Sequence, residues 1–358
     1  MVNKKYLSRV VNIGGVKIGG NNPVRIQTMT STDTNDRRRT RKQIKELAAA
    51  GAELIRLAVP DEEAANNLRF YKKHSPVPLI ADIHFDWRLA IKAIEAGADK
   101  IRINPGNIGS TDKLQRIIET AKKHSVPIRL GFNTGSWAEY RQDIAAEKKI
   151  RSIIASVRKY IQIFEKENFF DLVISLKTPE VHSTILAYEL LAENFSYPLH
   201  LGITEAGPLI TGTVKSVLAL GTLLLKGIGS TIRISLTADP VWEVRVARDL
   251  LVAAGLRKGV DLISCPTCGR CEFDIIGVVD KLEKWLWKKY PAGQQKKNLK
   301  VAVMGCVVNG PGEARDADIG IAGGKGYGLI FRQGKIVGRA RENEWLSILE
   351  KVIDQELK

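Results

Sequence analysis

Short apolar segments rich in Val and Ile alternate with longer segments of helical periodicity along the first 256 residues. This alternation predicts eight strands, at residues 24–30, 53–59, 78–84, 100–105, 127–133, 171–177, 199–205 and 231–237. The intervening apolar periodicity predicts helices, among them residues 40–51, 61–75, 88–97, 112–125 and 211–227. Several of these helices end at a glycine, the residue that left-handed helix caps favour, at Gly51, Gly97, Gly227 and Gly255.

Repeated strand–helix units predict a parallel sheet, and eight units in about 250 residues match a (β/α)8 barrel. An open, doubly wound sheet is the alternative, but no Gly-x-Gly-x-x-Gly motif follows the first strand. We therefore expect an α/β fold in which a TIM-type barrel occupies residues 1–258. Residues 259–358 are predicted to form a smaller α/β domain, with a helix at 273–289, a hairpin within 328–340 and a last helix at 342–357.

Length and composition agree with two folded domains. The 358 residues exceed what one hydrophobic core usually holds, and 44% hydrophobic with 26% charged residues argues against disorder. The N-terminus lacks the apolar stretch of a secretory signal, and the most apolar window, residues 217–225, is too short to span a bilayer. Four cysteines are too few for a disulfide scaffold. We expect a cytoplasmic protein with no membrane partner.

The net charge of +16 requires an anionic partner or a solvated surface. Nucleic acid is the first candidate, because a pI of about 9.6 is typical of such binding. The one dense basic run, residues 37–42, follows a turn signal and begins a helix, so we interpret it as a solvated helix face.

Polar residues recur at the predicted carboxyl ends of the strands, where the functional groups of TIM barrels lie. Five of them are basic: Arg56, Arg102, Arg129, Lys177 and Arg233. Three are neutral hydrogen-bonding residues: Asn104, Asn133 and Ser235. Burying an unpaired charge costs several kcal/mol, so we expect these side chains at the open end of the barrel. Each arginine alone could form a structural salt bridge, but five cations around one cavity favour a multiply charged anion.

Acidic residues at equivalent positions are Asp82 and Glu205. A carboxyl group among cations and substrate phosphates is a candidate for acid–base catalysis. We interpret Asp82 as an orienting salt-bridge partner of the arginines and Glu205 as the better candidate for the acid. His84 either donates a hydrogen bond to phosphate or caps the site.

The four cysteines all lie in the second domain, at Cys265, Cys268, Cys271 and Cys306. The C-x2-C-x2-C spacing with a distant fourth cysteine is typical of four thiolates on a [4Fe–4S] cluster. A zinc ribbon would need a second C-x2-C or a His pair, and a thioredoxin-type site would open a helix. A nucleic-acid-binding zinc protein and a phosphate-binding barrel with idle cysteines are the weaker alternatives, and we expect no nucleic-acid partner.

Four segments resemble the bacterial two-domain 4-hydroxy-3-methylbut-2-enyl diphosphate synthase (IspG/GcpE) family. They are SCPTCGR at 264–270, GCVVNGPGEA at 305–314, LGITEAG at 201–207 and Met29-Thr30. The resemblance implies an oxidoreductase of isoprene biosynthesis, with a barrel followed by a [4Fe–4S] domain. It implies reductive opening of 2-C-methyl-D-erythritol 2,4-cyclodiphosphate and loss of water, with electrons from ferredoxin or flavodoxin. It also implies a homodimer in which one chain's cluster domain covers the other chain's barrel.

The same resemblance implies residue roles. The implied cluster ligands are Cys265, Cys268, Cys306 and Glu313, and the implied catalytic acid is Glu205. The implied substrate-binding residues are Arg56, Arg102, Asn104, Arg129, Asn133, Lys177, Arg233 and Ser235, to which strand-end position adds Asp82 and His84. Cys271 stands where the family usually has another residue, so an all-cysteine cluster stays open. We favour Glu313, because a carboxylate leaves an iron more easily than a thiolate does.

Overall fold

The computed structural model describes residues 6–133, 146–290, 295, 297–306, 312 and 314–357, with backbone alone for Asn133 and Ala146. The chain forms two compact units, Met1–Leu250 and Leu251–Lys358. Among the described residues, no helix is both long enough and apolar enough to cross a membrane.

The first unit begins with an antiparallel hairpin of β1 (Val11–Ile13) and β2 (Val16–Ile18). Eight parallel strands follow: β3 (Arg25–Met29), β4 (Leu54–Ala58), β5 (Leu79–Ile83), β6 (Lys100–Ile103), β7 (Ile128–Asn133), β8 (Leu172–Lys177), β9 (His200–Leu201) and β10 (Thr231–Ile232). Their order is β8-β7-β6-β5-β4-β3-β10-β9. A parallel bridge between Ile174 and Leu199 joins the two ends of this order, so the sheet closes into the predicted barrel.

Helices between the strands are α1 (Arg37–Ala49), α2 (Glu62–His74), α3 (Trp87–Glu95), α4 (Pro105–Ile108), α5 (Thr111–His124), α6 (Ala146–Lys166), α7 (Val181–Asn194), α8 (Leu209–Leu225) and α9 (Pro240–Ala253). Asp36, Asp61 and Asp86 accept hydrogen bonds from backbone N–H groups at the starts of α1, α2 and α3. The four glycines predicted to follow helices all have positive φ. The basic side chains at 37–42 are exposed, which confirms their interpretation as a solvated helix face.

The N-terminal hairpin covers the amino end of the barrel. Val11, Ile13 and Ile18 pack there in one buried cluster with Leu54, Ile80 and Val173. Leu54, Ile80 and Val173 are each the first or second residue of their strand, in β4, β5 and β8. That end of the barrel is therefore closed by apolar packing, and the carboxyl end remains for a binding site.

Two strands are shorter than predicted, because residues 199–205 and 231–237 leave the regular ladder after two residues each. The chain turns into left-handed backbone at Glu205, where φ is +54°. The N–H of Leu236 donates to the side chain of Glu243 rather than to a neighbouring strand. Separate backbone hydrogen bonds, such as that from the Arg233 N–H to the Leu201 carbonyl, continue beyond the regular ladder where the two segments approach the open end.

The second unit contains β11 (Val260–Ser264), α10 (Ile275–Lys289), β12 (Leu299–Met304), β13 (Ile319–Gly323), β14 (Tyr327–Arg332), β15 (Lys335–Arg341) and α11 (Trp345–Leu357). Strands β11, β12 and β13 are parallel, and β13, β14 and β15 are antiparallel. Trp345 is fully buried with Leu282 of α10 and Leu349 of α11. This confirms the predicted smaller α/β domain.

Candidate active site

A cavity of about 90 Å3 opens at the carboxyl ends of the barrel strands. It is lined by Arg56, Asp82, His84, Arg102, Arg129, Ser175, Lys177, Ile203, Thr204, Arg233 and Ser235. All five basic residues expected at the strand ends are in this set. Strand register explains the convergence: Arg102 lies beside Asp82 of β5 and Arg129 of β7, so these side chains share the inner face of the barrel.

Asp82 is the carboxylate that holds part of this basic cluster in place. Its Oδ2 lies 3.0 Å from His84 Nε2 and 3.9 Å from Arg56 Nε, and its Oδ1 lies 3.3 Å from Arg102 Nη1. Burial alone would raise the pKa of this carboxyl, but Arg56, His84 and Arg102 together hold it well below its usual range. Asp82 is therefore ionised and orients its neighbours, in agreement with the interpretation from sequence.

The cavity carries a large excess of positive charge. Burial, followed by the neighbouring Arg129 and Arg233, lowers the pKa of Lys177 well below its usual value. Burial likewise lowers the pKa of Arg129, and that of Arg56 falls to about 10. Cations that depress one another's pKa in a buried cavity are stabilised by any anion that enters it. The arrangement can therefore bind a multiply charged anion such as a diphosphate.

Two neighbours of the cavity were not found by sequence reasoning. Glu243, at the start of α9, binds Arg233 through both carboxylate oxygens, at 3.2 and 3.3 Å. Arg56 donates to Met29 Sδ, 3.0 Å from Nε and 2.9 Å from Nη2. Glu243 lies on a helix, and the sequence analysis searched only the strand ends, so nothing in the sequence identified it. The period of two along β3 could have identified Met29 as an inward-facing residue.

Three predicted residues are not part of the described cavity lining. Asn104 is buried and its Oδ1 accepts from the N–H of Gly106 at the start of α4, 3.3 Å away. Glu205 is exposed, at the left-handed turn after β9. The side chain of Asn133 lies outside the described residues. Sequence reasoning left Ile203 and Thr204 out, although both line the cavity.

The cysteines of the second unit gather at one edge of its sheet. Cys265 directly follows β11 and Cys306 follows the parallel neighbour β12, so their loops leave the sheet on the same side. Cys265 Sγ accepts from the N–H of Gly305, 3.1 Å away. A Cβ placed on Gly305 would lie 3.0 Å from Cys271 Sγ and 3.3 Å from Cys265 Sγ. Glycine at 305 therefore leaves space for the two sulfur atoms.

These donors suit a soft metal centre. The backbone N–H of Arg270 lowers the pKa of the exposed Cys268 thiol, and N–H donors stabilise thiolates that bind iron or zinc. Glu313 lies outside the described residues. Among the residues that are described, no group of three or more His, Cys, Asp or Glu side chains closes around one point. The sulfur donors and the space above Gly305 are consistent with a cluster at this edge.

Fold and sites together define a two-domain protein, a TIM barrel with a cationic cavity followed by a cysteine-bearing α/β domain. Profiles of two families match the chain, the GcpE TIM-barrel domain over residues 8–248 and the GcpE protein C-terminal domain over residues 261–355. The chain belongs to the GcpE family.

Relatives match over the full chain. A protein of Caldanaerobacter subterraneus subsp. tengcongensis named 4-hydroxy-3-methylbut-2-en-1-yl diphosphate synthase (flavodoxin) is 52% identical, over 100% of this chain and 99% of its own length. A Bacillus subtilis protein of the same name is 50% identical, over 97% and 91%. A dihydropteroate synthase structure from Coxiella burnetii is 15% identical with a TM-score of 0.52, and covers 69% of this chain and 98% of its own. This last likeness supports the barrel fold alone.

Proposed function

We propose that this protein is a 4-hydroxy-3-methylbut-2-en-1-yl diphosphate synthase of the non-mevalonate isoprenoid pathway. Its substrate is 2-C-methyl-D-erythritol 2,4-cyclodiphosphate, which takes up two electrons and two protons. The ring C–O bond and the C–O bond of the neighbouring hydroxyl group break, and a carbon–carbon double bond forms between the two carbons. One proton leaves with the hydroxyl group as water, and the other goes to the freed phosphate oxygen. The observation that carries the proposal is the convergence of five basic residues, four of them buried and Arg233 partly exposed, on one cavity in a chain that also bears four cysteines. Full-length relatives that carry this enzyme's name support it.

Arg56, Arg102, Arg129, Lys177 and Arg233 bind the two phosphates. Arginine forks match phosphate oxygens in pairs, and a cyclic diphosphate presents oxygens in several directions. Ser235, Asn104 and Asn133 add neutral hydrogen bonds. Asp82 offsets the mutual repulsion of Arg56 and Arg102 and orients both side chains before the substrate arrives.

A [4Fe–4S] cluster, held by Cys265, Cys268, Cys306 and Glu313, supplies the electrons when it is bound. The N–H of Gly305 stabilises negative charge on Cys265 Sγ. Glu313 is the ligand that exchanges most readily, because carboxylate oxygen is a harder donor than thiolate. Cys271 lies beside Cys265 and is not a ligand in this proposal. The alternative is a cluster held by all four cysteines, with Cys271 in place of Glu313.

Glu205 donates the proton that leaves with the hydroxyl group. Its exposed position at a left-handed turn, three residues after the buried Gly202, lets its carboxyl exchange protons with solvent. As the proton donor, Glu205 is required for turnover but not for binding of the diphosphate.

Flavodoxin, named for the relatives, is the proposed electron donor, with ferredoxin as the alternative. A homodimer is supported by one face of α8, which exposes Ile210, Val214, Val217, Leu218 and Leu225. These residues recur at helical spacing, and apolar stripes of this kind usually mark an interface. Free cysteines fit a reducing cytoplasm.

The test is an anaerobic assay of the protein reconstituted with iron and sulfide, using the cyclic diphosphate and reduced flavodoxin. We expect one 4-hydroxy-3-methylbut-2-enyl diphosphate per two electrons, identified by mass spectrometry. Glu205→Gln should keep substrate affinity and abolish turnover. Full turnover in E205Q would remove Glu205 as the acid, and zinc with no product in the wild type would overturn the proposal.

A further inference from the structure

A layer of buried polar side chains lies directly beneath the cavity. Lys100, Gln27 and Thr231 stand two residues before Arg102, Met29 and Arg233 on their strands, so they face the same barrel interior one step deeper. The layer also contains His200, whose Nδ1 lies 2.8 Å from Thr231 Oγ1. All four side chains are buried, and none of them lines the cavity.

Lys100 is a buried amine that faces other cations. Its Nζ lies 3.4 Å from Gln27 Oε1 on β3. Arg129 on β7 and Arg56 on β4 are the charged groups that act on Lys100, and Lys177 on β8 also acts on His200 of the same layer. Ile80 on β5 and Val173 on β8 are apolar and pack toward the N-terminal hairpin. Among the described residues, no carboxylate contacts Lys100 Nζ.

Such an amine is stable in its neutral form. Burial, followed by Arg129 and Arg56, lowers the pKa of Lys100 well below its usual value. The layer and the cavity wall directly above it are also short of hydrogen-bond acceptors. Within the described part of the chain, Arg129 Nε and Nη1, His200 Nε2 and Gln27 Nε2 are buried without a hydrogen-bond partner. An anion bound above the layer would reverse the electrostatic potential that these groups experience.

We propose that Lys100 belongs to a second layer of the anion site. Its amine is neutral while the cavity is empty and protonated when a multiply charged anion binds. The proposal rests on the proposed function only in that the cavity binds an anion. Because the anion-bound form holds an additional proton, anion affinity falls as the pH rises through the interval between the free and bound pKa of Lys100. Lys177, in the cavity wall, adds to the same effect, so the contribution of Lys100 is measured by difference.

The probe is inorganic sulfate, which has no titrating proton from about pH 7 to about pH 9. Calorimetric titrations of the full chain in buffers of different ionisation enthalpy count the protons taken up per sulfate bound. The sulfate binding that occurs in the cavity, with its proton uptake, is the part that Arg56→Ala abolishes. We expect the wild type to take up protons when sulfate binds. In K100M the number of protons taken up per sulfate should be lower by about half a proton or more. Lys123→Met, which removes an exposed lysine, should leave the uptake unchanged.

A second variant keeps the packing of the layer. Gln27→Glu is nearly isosteric and places a carboxylate where Gln27 Oε1 now lies, 3.4 Å from Lys100 Nζ. Lys100 then stays protonated in the empty cavity, so Q27E should lose the same uptake as K100M. His200→Asn should retain it.

Wild-type uptake that persists in both K100M and Q27E, or that disappears in H200N, would overturn the role of Lys100. Sulfate binding without any uptake would also overturn it while leaving the anion cavity intact. Absence of sulfate binding that depends on Arg56 would instead overturn the anion cavity, and with it the proposed function.

Discussion

Arg233 and Glu243, whose side chains are 15% and 4% exposed, form an ion pair that joins the segment after β10 to the first turn of α9. The Arg233 Nη2 and Nε atoms lie 3.2 and 3.3 Å from the two carboxylate oxygens of Glu243. Glu243 also accepts from Thr28 Oγ1 at 2.9 Å and from the N–H of Leu236 at 3.2 Å. Four donors on one carboxylate fix its position, so Glu243 determines where the Arg233 guanidinium faces the cavity.

Replacing Glu243 by Gln should therefore affect both stability and binding. Removing one partner of a buried ion pair costs about 3–5 kcal/mol, because the other charge stays buried without compensation. Urea unfolding measures this loss, and the KM for the cyclic diphosphate should rise more than kcat falls. Glu46→Gln, at an exposed pair with Lys42, is the control and should change stability by about 0.5 kcal/mol or less. Equal stability of E243Q and E46Q would contradict this account of Glu243.

Replacing Asp82 by Asn should make the fold depend on bound anion. Without the carboxylate, Arg56 and Arg102 repel each other in the empty cavity, so we expect a lower Tm and a larger rise in Tm on adding sulfate than in the wild type. Because the folded pKa of Asp82 is depressed, its stabilisation is present above its unfolded pKa of about 4 and is lost as the pH falls further. The difference between the wild type and D82N should therefore shrink in acid. A sulfate effect of equal size in both proteins would argue against this role.

Replacing Gly131 by Ala should displace Arg102. A Cβ there would lie 2.5 Å from Arg102 Nε and 3.2 Å from its Cζ, inside a barrel where Arg102 Nη1 also binds Asp82. Overpacking of this kind typically costs about 1–3 kcal/mol, and sulfate should bind more weakly. Gly338→Ala is the matched control, since the nearest atom to its Cβ is Ile330 Cδ1 at 3.9 Å. Unchanged sulfate affinity in G131A would show that Arg102 can move without consequence.

Cys265 and Cys271 should differ when the cluster is assembled. Cys265→Ser is expected to lose most of the iron and the charge-transfer absorbance after anaerobic reconstitution, whereas Cys271→Ser should keep both. The measurements are iron and sulfide per chain and the visible spectrum. If C271S loses the cluster while Glu313→Ala keeps it, the all-cysteine ligand set is correct.

The exposed apolar face of α8 should control assembly. A glutamate at Leu218, which is 57% exposed, places charge in the centre of that face without disturbing the barrel core. We expect a shift from dimer to monomer in light scattering with an unchanged Tm at low concentration. Lys215→Glu, on the same helix, is the control for added acid. A dimer that persists in L218E would place the interface elsewhere.

Most of the fold was predictable because its signals are local. Val- and Ile-rich segments, helix caps such as Asp61 and left-handed glycines such as Gly97 identify their elements from nearby residues alone. The two misjudged segments, 199–205 and 231–237, contain strand-forming residues that keep only separate backbone hydrogen bonds to their neighbours, such as the one from the Thr204 N–H to the Thr178 carbonyl. Their ends were decided by tertiary contacts such as the hydrogen bond from Leu236 to Glu243.

The sequence by itself determined the barrel, the small second domain, the five basic strand ends and the grouping of the cysteines. These follow from periodicity and spacing along the chain. The tertiary structure alone decided which arginines Asp82 binds, Arg56 and Arg102. It alone also showed that Glu243 binds Arg233 and that Lys100 lies buried beneath the cavity. Those relationships join residues far apart in the chain, and the electrostatic energy of each depends on burial and on distances that arise when the barrel closes.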